Sequence, residues 1–131
     1  MSLQNLSLHL DDYDLISMQK ILTFGECIRN LREDTGLPLR KVAAQLDIDP
    51  SLLGKIERNQ RQPTKDQIRK LASIFNQSES VLLSEYLSDQ IAYKILEEES
   101  SSVILKVAEK KVKYFKSISR IWNERFWGNK D

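Results

Sequence analysis

Residues 37–64 read LPLRKVAAQLDIDPSLLGKIERNQRQPT, a pattern that predicts two short helices joined by a tight turn. In the first helix, 39–46, apolar residues recur at spacings of three and four, as on one face of a helix. Ala43 in this face is small enough for another helix to cross close over it. Asp47 and the two residues after it break the pattern, so we expect the turn there.

The second helix of this stretch is predicted over residues 50–58. Asp49 is a favourable N-cap, and Pro50 suits the first helical position, where no backbone N–H is needed. Leu53 and Ile56 then form an apolar stripe. The opposite face and the following loop carry Ser51, Lys55, Arg58, Asn59, Gln60, Arg61 and Gln62. This surface is positively charged and can donate hydrogen bonds.

The composition fits an all-α globular protein of modest size. The chain has 131 residues, enough for one ordinary domain or for a small domain with an extension. Hydrophobic residues make up 40% and charged residues 30%, while four Gly and three Pro leave little room for β-hairpins or long loops. We therefore expect helices throughout.

Residues that carry catalytic or metal chemistry are scarce. Cys27 is the only cysteine and His9 the only histidine, which excludes an internal disulfide and a dense Cys/His metal site. We expect Cys27 to be a small buried hydrophobe rather than a nucleophile. There is no Gly-rich phosphate loop and no convergent acid, base and nucleophile. The sequence predicts no enzyme activity, no metal and no cofactor.

The hydropathy pattern argues against a membrane protein. No apolar run approaches the roughly 18 to 20 residues that span a bilayer. The N-terminus also lacks the basic start and apolar middle of a secretion signal. We expect a cytoplasmic protein with no membrane partner.

Charge is segregated along the chain although the net charge is only +1. Residues 23–78 hold ten Lys and Arg against seven Asp and Glu. Residues 79–102 hold one basic residue against six acidic ones, and residues 103–131 hold eight against three. The excess within the first of these segments falls on residues 38–70, where a polyanion would find its counter-charges.

Capping residues predict three more helices around the quoted stretch. They follow Thr23, Thr64 and Ser78 and cover residues 24–34, 65–75 and 79–96. By its spacing, Arg32 is expected on the outside of the first of these. The last is longer than a small domain needs and leaves an apolar surface that such a domain covers only in part. A partner chain is therefore expected.

The two ends of the chain allow several interpretations. We interpret residues 1–20 as a flexible leader; a short strand or helix packed on the domain, or a translation start at Met18, are the alternatives. Residues 97–102 form a polar break, and a long amphipathic helix is predicted from Val103 to near Gly128. Its basic face suits a solvated dimerisation helix, a DNA-touching or partner-binding arm, or a membrane-surface helix.

Residues 22–86 resemble the phage-repressor-like helix-turn-helix family, of the Cro/cI or XRE type. The resemblance is carried by Phe24-Gly25, Ile28, Leu31, Arg32, Leu39, Val42-Ala43, Leu46, Leu53, Ile56-Glu57-Arg58-Asn59, Pro63, Leu71-Ala72 and Ile74-Phe75. It implies a five-helix, lambda-repressor-like DNA-binding domain over residues 21–86. It also implies a polar link between Arg32 and Glu57. Residues 87–131 are then a C-terminal amphipathic helical extension.

The resemblance implies that helix 50–58 enters the major groove of double-stranded DNA, where base edges carry a donor and acceptor code. The expected base contacts are Pro50, Ser51, Leu52 and Lys55. The expected backbone contacts are Arg40, Lys41, Arg58, Asn59, Arg61 and Gln62. The predicted function is that of a sequence-specific transcriptional regulator, a repressor.

One such module covers few base pairs, so we predict a homodimer that reads an inverted repeat. The expected dimer or partner surface comprises Leu82, Tyr86, Ile91, Ile95, Phe115 and Trp122. The C-terminal helix is also the place for a protein partner. Alternative functions are a restriction–modification controller or an antitoxin with the same fold, and a protein-interaction adaptor that does not bind DNA.

Overall fold

The computed structural model of the chain describes residues 21–122, with side chains through Ser119. Six helices occupy this part: α1 Phe24–Asp34, α2 Leu39–Leu46, α3 Pro50–Glu57, α4 Lys65–Ile74, α5 Glu79–Ile95 and α6 Ser101–Trp122. No strand occurs within residues 21–122, and the predicted all-α fold is confirmed. The interpretation of residues 1–20, the side chain of Trp122 and the helix end near Gly128 all lie outside the described residues.

The chain divides into two compact units between Asp89 and Gln90. In the first, α1 to α4 and most of α5 enclose one apolar core. Its buried members are Phe24, Ile28, Val42, Ala43, Leu46, Leu53, Ile56, Ile68, Leu71, Ala72, Phe75 and Leu82. In the second, the end of α5 and α6 carry mostly exposed side chains.

Local capping explains where the helices of the first unit begin. Thr23 and Thr64 both form capping boxes, in which the Thr hydroxyl accepts from the N3 backbone and the N3 side chain returns to the cap. Asp49 caps α3 with its carboxylate, and Pro50 takes the first position of that helix. Of the four predicted N-caps, Thr23, Asp49 and Thr64 are confirmed. The predicted bounds of α1 and α2 are confirmed too, and those of α3, α4 and α5 differ by one residue at the C-terminal end.

The turns between these helices use left-handed backbone. Asp47 closes α2 at φ 56°, and Asn59 follows α3 at φ 61°. Asp and Asn tolerate this region because their short side chains bond locally. The turn between α2 and α3 is only three residues long, so the two helices are held as one motif.

The N-terminus of α1 is tied to two distant parts of the chain. Its first three backbone N–H groups donate to Asp89 Oδ2 at 2.7 Å, to Asn59 Oδ1 at 3.0 Å and to Thr23 Oγ1 at 3.2 Å. These are the donors that a helix leaves without intrahelical partners. The carboxylate of Asp89 also carries the charge that a helix N-terminus favours. The start of α1 is therefore fixed to α5 and to the turn after α3.

Candidate nucleic-acid interface

The outer face of α3 presents a row of exposed polar side chains. Ser51, Lys55 and Arg58 are all exposed and lie four and three residues apart, so they share one face of the helix. Their Cα positions extend over about 10 Å, at about 1.5 Å per residue. Leu53 and Ile56 on the other face are buried in the core. The apolar and polar faces were both correctly predicted from the sequence.

Ser51 is bound to the helix cap. Its hydroxyl donates to Asp49 Oδ1 at 2.6 Å, and its backbone N–H donates to the same oxygen at 2.8 Å. These two bonds hold the pKa of the Asp49 carboxyl below its ordinary value. Because its proton is committed to Asp49, the Ser51 hydroxyl is left with lone pairs to offer, and it can accept a bond from a base amino group.

The two apolar residues predicted to contact bases differ in exposure. Pro50 is exposed at the first position of α3. Leu52 is half-buried and packs against the core. Part of Leu52 therefore supports the domain, and only the rest of its surface can meet a thymine methyl group.

The start of α2 lies beside α3. A Cβ placed on Gly54 would sit 3.7 Å from Leu39 Cδ2 and 3.1 Å from Arg58 Nη1. The exposed Arg40 and Lys41 follow Leu39 directly. The structure thus brings the basic start of α2 next to the C-terminal half of α3.

The polar side chains of the loop after α3 bond partly within the domain. Arg58 Nε donates to Gln60 Oε1 at 3.3 Å, and Arg61 is exposed. Gln62 Oε1 accepts from Tyr86 OH at 3.3 Å, which joins the loop to α5. Gln60 was not among the predicted contacts; nothing in a local pattern signals that it steadies Arg58.

Asn59, which was predicted to contact the DNA backbone, also forms hydrogen bonds within the domain. Its Oδ1 accepts from the N–H of Gly25, and its Nδ2 donates to Thr23 Oγ1 at 2.8 Å. The amide bridges the end of α3 to the start of α1. Asn59 therefore has a positioning role within the domain, and its contact with the DNA backbone stays a prediction.

Arg32 and Glu57 form a largely buried ion pair between α1 and α3. Arg32 Nε lies 2.7 Å from Glu57 Oε2, and Nη2 lies 3.0 Å from Oε1. The two side chains are 16% and 5% exposed, and the hydrogen bond to Glu57 raises the pKa of Arg32. The link implied by the family resemblance is confirmed. The expectation that Arg32 lies outside is wrong, because its guanidinium turns in to neutralise the buried carboxylate.

Most cations elsewhere in the first unit are paired with carboxylates, Lys65 at the start of α4 being an exception, whereas those of this surface are not. On α1 and α4, Arg29, Arg32, Arg69 and Lys70 all lie against carboxylates. Within residues 21–122, no carboxylate pairs with Arg40, Lys41, Lys55, Arg58 or Arg61. The cations of α2, α3 and the loop after α3 lie in neighbouring elements and have no carboxylate partner. An anionic ligand can therefore bind to them.

The residues predicted for a dimer or partner surface lie in different environments. Leu82 is 1% exposed and belongs to the core, so the structure corrects its assignment to that surface. Tyr86 is half-buried, with its ring edge-on to Phe24 at a centroid distance of 5.6 Å. Ile91 and Phe115 are exposed, and Ile95 is half-buried.

The fold and this surface together define a class, that of all-α proteins with a helix-turn-helix DNA-binding domain. Residues 28–82, which run from α1 into α5, match the family model described as helix-turn-helix. This part of the chain is a helix-turn-helix domain of the Cro/cI (XRE) type, a domain that supports a role in DNA-binding transcription regulation.

The domain matched is a DNA-binding regulator domain and not an enzyme family. Neither the curated proteins nor the solved structures gave a match to this chain. Between residues 21 and 122, none of the helices combines the length and apolar character needed to cross a membrane.

Proposed function

We propose that the protein is a sequence-specific repressor that places α3 in the DNA major groove. The observation that carries this proposal is the set of unpaired cations on α2, α3 and the following loop. The major groove of B-DNA admits one α-helix, and phosphates flank this groove on both sides. A small protein bound over a promoter blocks polymerase by occupancy alone, so repression needs no additional surface.

The proposed contacts divide into base readers and phosphate binders. Lys55 faces guanine O6 and N7, and Ser51 accepts from the amino group of adenine or cytosine. Pro50 and the exposed part of Leu52 meet thymine methyl groups. The phosphate binders are Arg40, Lys41, Arg58, Arg61 and Gln62, which set the register of α3 on the duplex.

The proposed assembly is a homodimer on an inverted repeat. One α3 reads only a few base pairs, and a two-fold axis places a second copy about one helical turn away, roughly 34 to 36 Å. The exposed apolar residues beyond Leu87 supply the surface for a second copy. The dimer then doubles both the base contacts and the phosphate contacts.

Selection from a random duplex library tests this function. The parent should enrich one inverted-repeat sequence, and Lys55→Ala should lose discrimination at one position in each half-site by about tenfold or more, since a bidentate contact is worth about 1–3 kcal/mol. Lys70→Ala is the matched control, because Lys70 is exposed on α4, outside the proposed DNA contacts and outside the proposed dimer surface. Failure of the parent to enrich any sequence would contradict the proposal and favour a protein-interaction adaptor.

A further inference from the structure

The second unit exposes more apolar surface than a solvated helix needs. In α6, Val103, Val107, Val112 and Phe115 are 58%, 44%, 50% and 50% exposed. Together with Ile104 and Ile118 they cover about half of the helix circumference, at about 100° per residue, with Val103 and Val112 at the two edges, so the surface is a broad stripe rather than scattered residues. A stripe of this size on a helix of 22 residues is typical of an interface.

A lysine interrupts the centre of this stripe. Ile104, Lys111 and Ile118 follow each other at intervals of seven residues, which places all three on the same face. If α6 paired along its whole length with a second α6, parallel or antiparallel, Lys111 would meet Lys111 of the other copy. The neighbouring lysines would add to the repulsion. The chain therefore disfavours pairing of α6 with itself.

Residues 85–99 of the same chain carry the complementary charge and exposed apolar side chains of their own. They hold five acidic residues against one lysine, whereas α6 holds six basic residues against one glutamate. Leu87, Ile91 and Leu96 are exposed in this stretch. Glu97, Glu98 and Glu99 are exposed as well. Every copy thus presents a basic apolar helix and an acidic apolar stretch that fit each other.

We infer that two copies of the chain exchange these elements, so that α6 of each copy packs on residues 85–99 of the other. The two contacts are related by a two-fold axis, which closes the assembly at a dimer. In each contact Lys111 meets carboxylates instead of a second lysine. The inference rests on the homodimer proposed above, but it does not depend on DNA binding.

Two charge-reversed variants test the exchange by sedimentation velocity at micromolar concentration. The first carries Lys110→Glu, Lys111→Glu and Lys116→Glu in α6. The second carries Glu97→Lys, Glu98→Lys and Glu99→Lys. All six side chains are exposed, so both variants should fold. Each variant alone should dimerise at least tenfold more weakly than the parent, whereas an equimolar mixture of the two, or one chain with all six changes, should dimerise as the parent does.

A third variant controls for net charge. Arg40→Glu, Lys41→Glu and Arg61→Glu change the charge as much as the α6 variant does, but on the proposed DNA-binding face, and this variant should dimerise like the parent. A dimer that the second variant leaves unchanged would mean that α6 pairs with α6, and would overturn the exchange while leaving the DNA-binding dimer intact. A monomeric parent, or a mixture that does not recover dimerisation, would overturn the exchange as well.

Discussion

At the scale of single residues, the buried pair of Arg32 and Glu57 is the most consequential contact in the first unit. Its bidentate geometry satisfies both partners, so the pair itself adds little net stability. Removing one partner has a larger effect, because a carboxylate that is 5% exposed would keep its desolvation cost without a counter-charge. The pair therefore fixes how α3 sits on α1.

Arg32→Ala should lower the free energy of unfolding by about 3 kcal/mol, because it leaves Glu57 buried and unpaired. Urea denaturation with an unchanged m-value is the measurement. The matched control is Arg29→Ala, which removes an exposed i,i+4 pair with Glu33 and should cost about 0.3–0.5 kcal/mol. Equal decreases in the two variants would contradict the role given to Glu57.

Glu85 lowers the stability of the folded state as the pH rises. Burial, together with the nearby Asp89, raises the pKa of Glu85. The folded state therefore binds a proton more readily than the unfolded state, and stability falls as the pH rises through the interval between the two pKa values.

Glu85→Gln should accordingly raise the urea midpoint slightly at pH 7, where the variant removes a desolvated charge beside Asp89. The gain should vanish near pH 3, below the ordinary glutamate pKa of about 4.3, because Glu85 is then neutral in both states. Urea titrations of parent and variant at the two pH values decide this. A gain of equal size at pH 3 would show that packing rather than charge is responsible.

Residue-level prediction from the sequence succeeded where the signal is local. Thr23, Asp49 and Thr64 bond to backbone two or three residues away, so the cap and its partner lie within one window of sequence. The bonds of Asp89 and Asn59 to α1 join residues 65 and 34 positions apart. No local pattern signals such pairs, which is why the bonds of Asn59 to the start of α1 were not predicted from the sequence.

At the scale of elements, α1 and α3 cross in close backbone contact at Gly25. A Cβ on Gly25 would lie 2.5 Å from the carbonyl oxygen of Glu57 and 2.6 Å from that of Ile56. Backbone oxygens at that range cannot move aside without shifting α3. Gly54 in α3 is different, because its nearest neighbour is the mobile end of the Arg58 side chain.

Alanine substitutions at the two glycines should therefore have opposite effects on stability. Gly25→Ala should cost about 2 kcal/mol or more by overpacking the crossing. Gly54→Ala should raise stability by up to about 1 kcal/mol, since Ala is the better helix former and the guanidinium can give way. Thermal and urea unfolding of both variants measure the difference. Destabilisation by Gly54→Ala as large as that by Gly25→Ala would mean that Arg58 is held rigidly.

Hydrophobic periodicity did not predict which part of α5 is buried. The spacing correctly predicted one long helix, since the pattern continues without a break to Leu96. It could not decide which turn of that helix meets the core. Leu82 is buried and Ile91 is 54% exposed, although both were predicted on one apolar surface. Burial depends on where α5 leaves the first unit, a property of the tertiary fold.

At the scale of the whole molecule, positive charges differ in whether they are paired with carboxylates. Among the described residues, Arg29, Arg32, Arg69 and Lys70 on α1 and α4 lie against carboxylates, whereas the cations on α2, α3 and the loop after α3, like Lys65 at the start of α4, do not. Sequence counting revealed the excess on residues 38–70, because charge can be summed without a fold. Pairing could be assigned only once the helices were in place.

The most direct test of the DNA-binding face is fluorescence anisotropy with a random-sequence duplex at several salt concentrations. It compares the parent with the triple variant Lys55→Ala, Arg58→Ala and Arg61→Ala, and with a charge-matched triple variant, Arg29→Ala, Arg69→Ala and Lys70→Ala. The parent and the control should bind with the same steep salt dependence, and the α3 variant should bind more weakly, with a slope reduced by roughly 0.9 for each phosphate that it no longer neutralises. Identical slopes for all three proteins, or no binding by the parent at low salt, would contradict the assignment of this face to DNA.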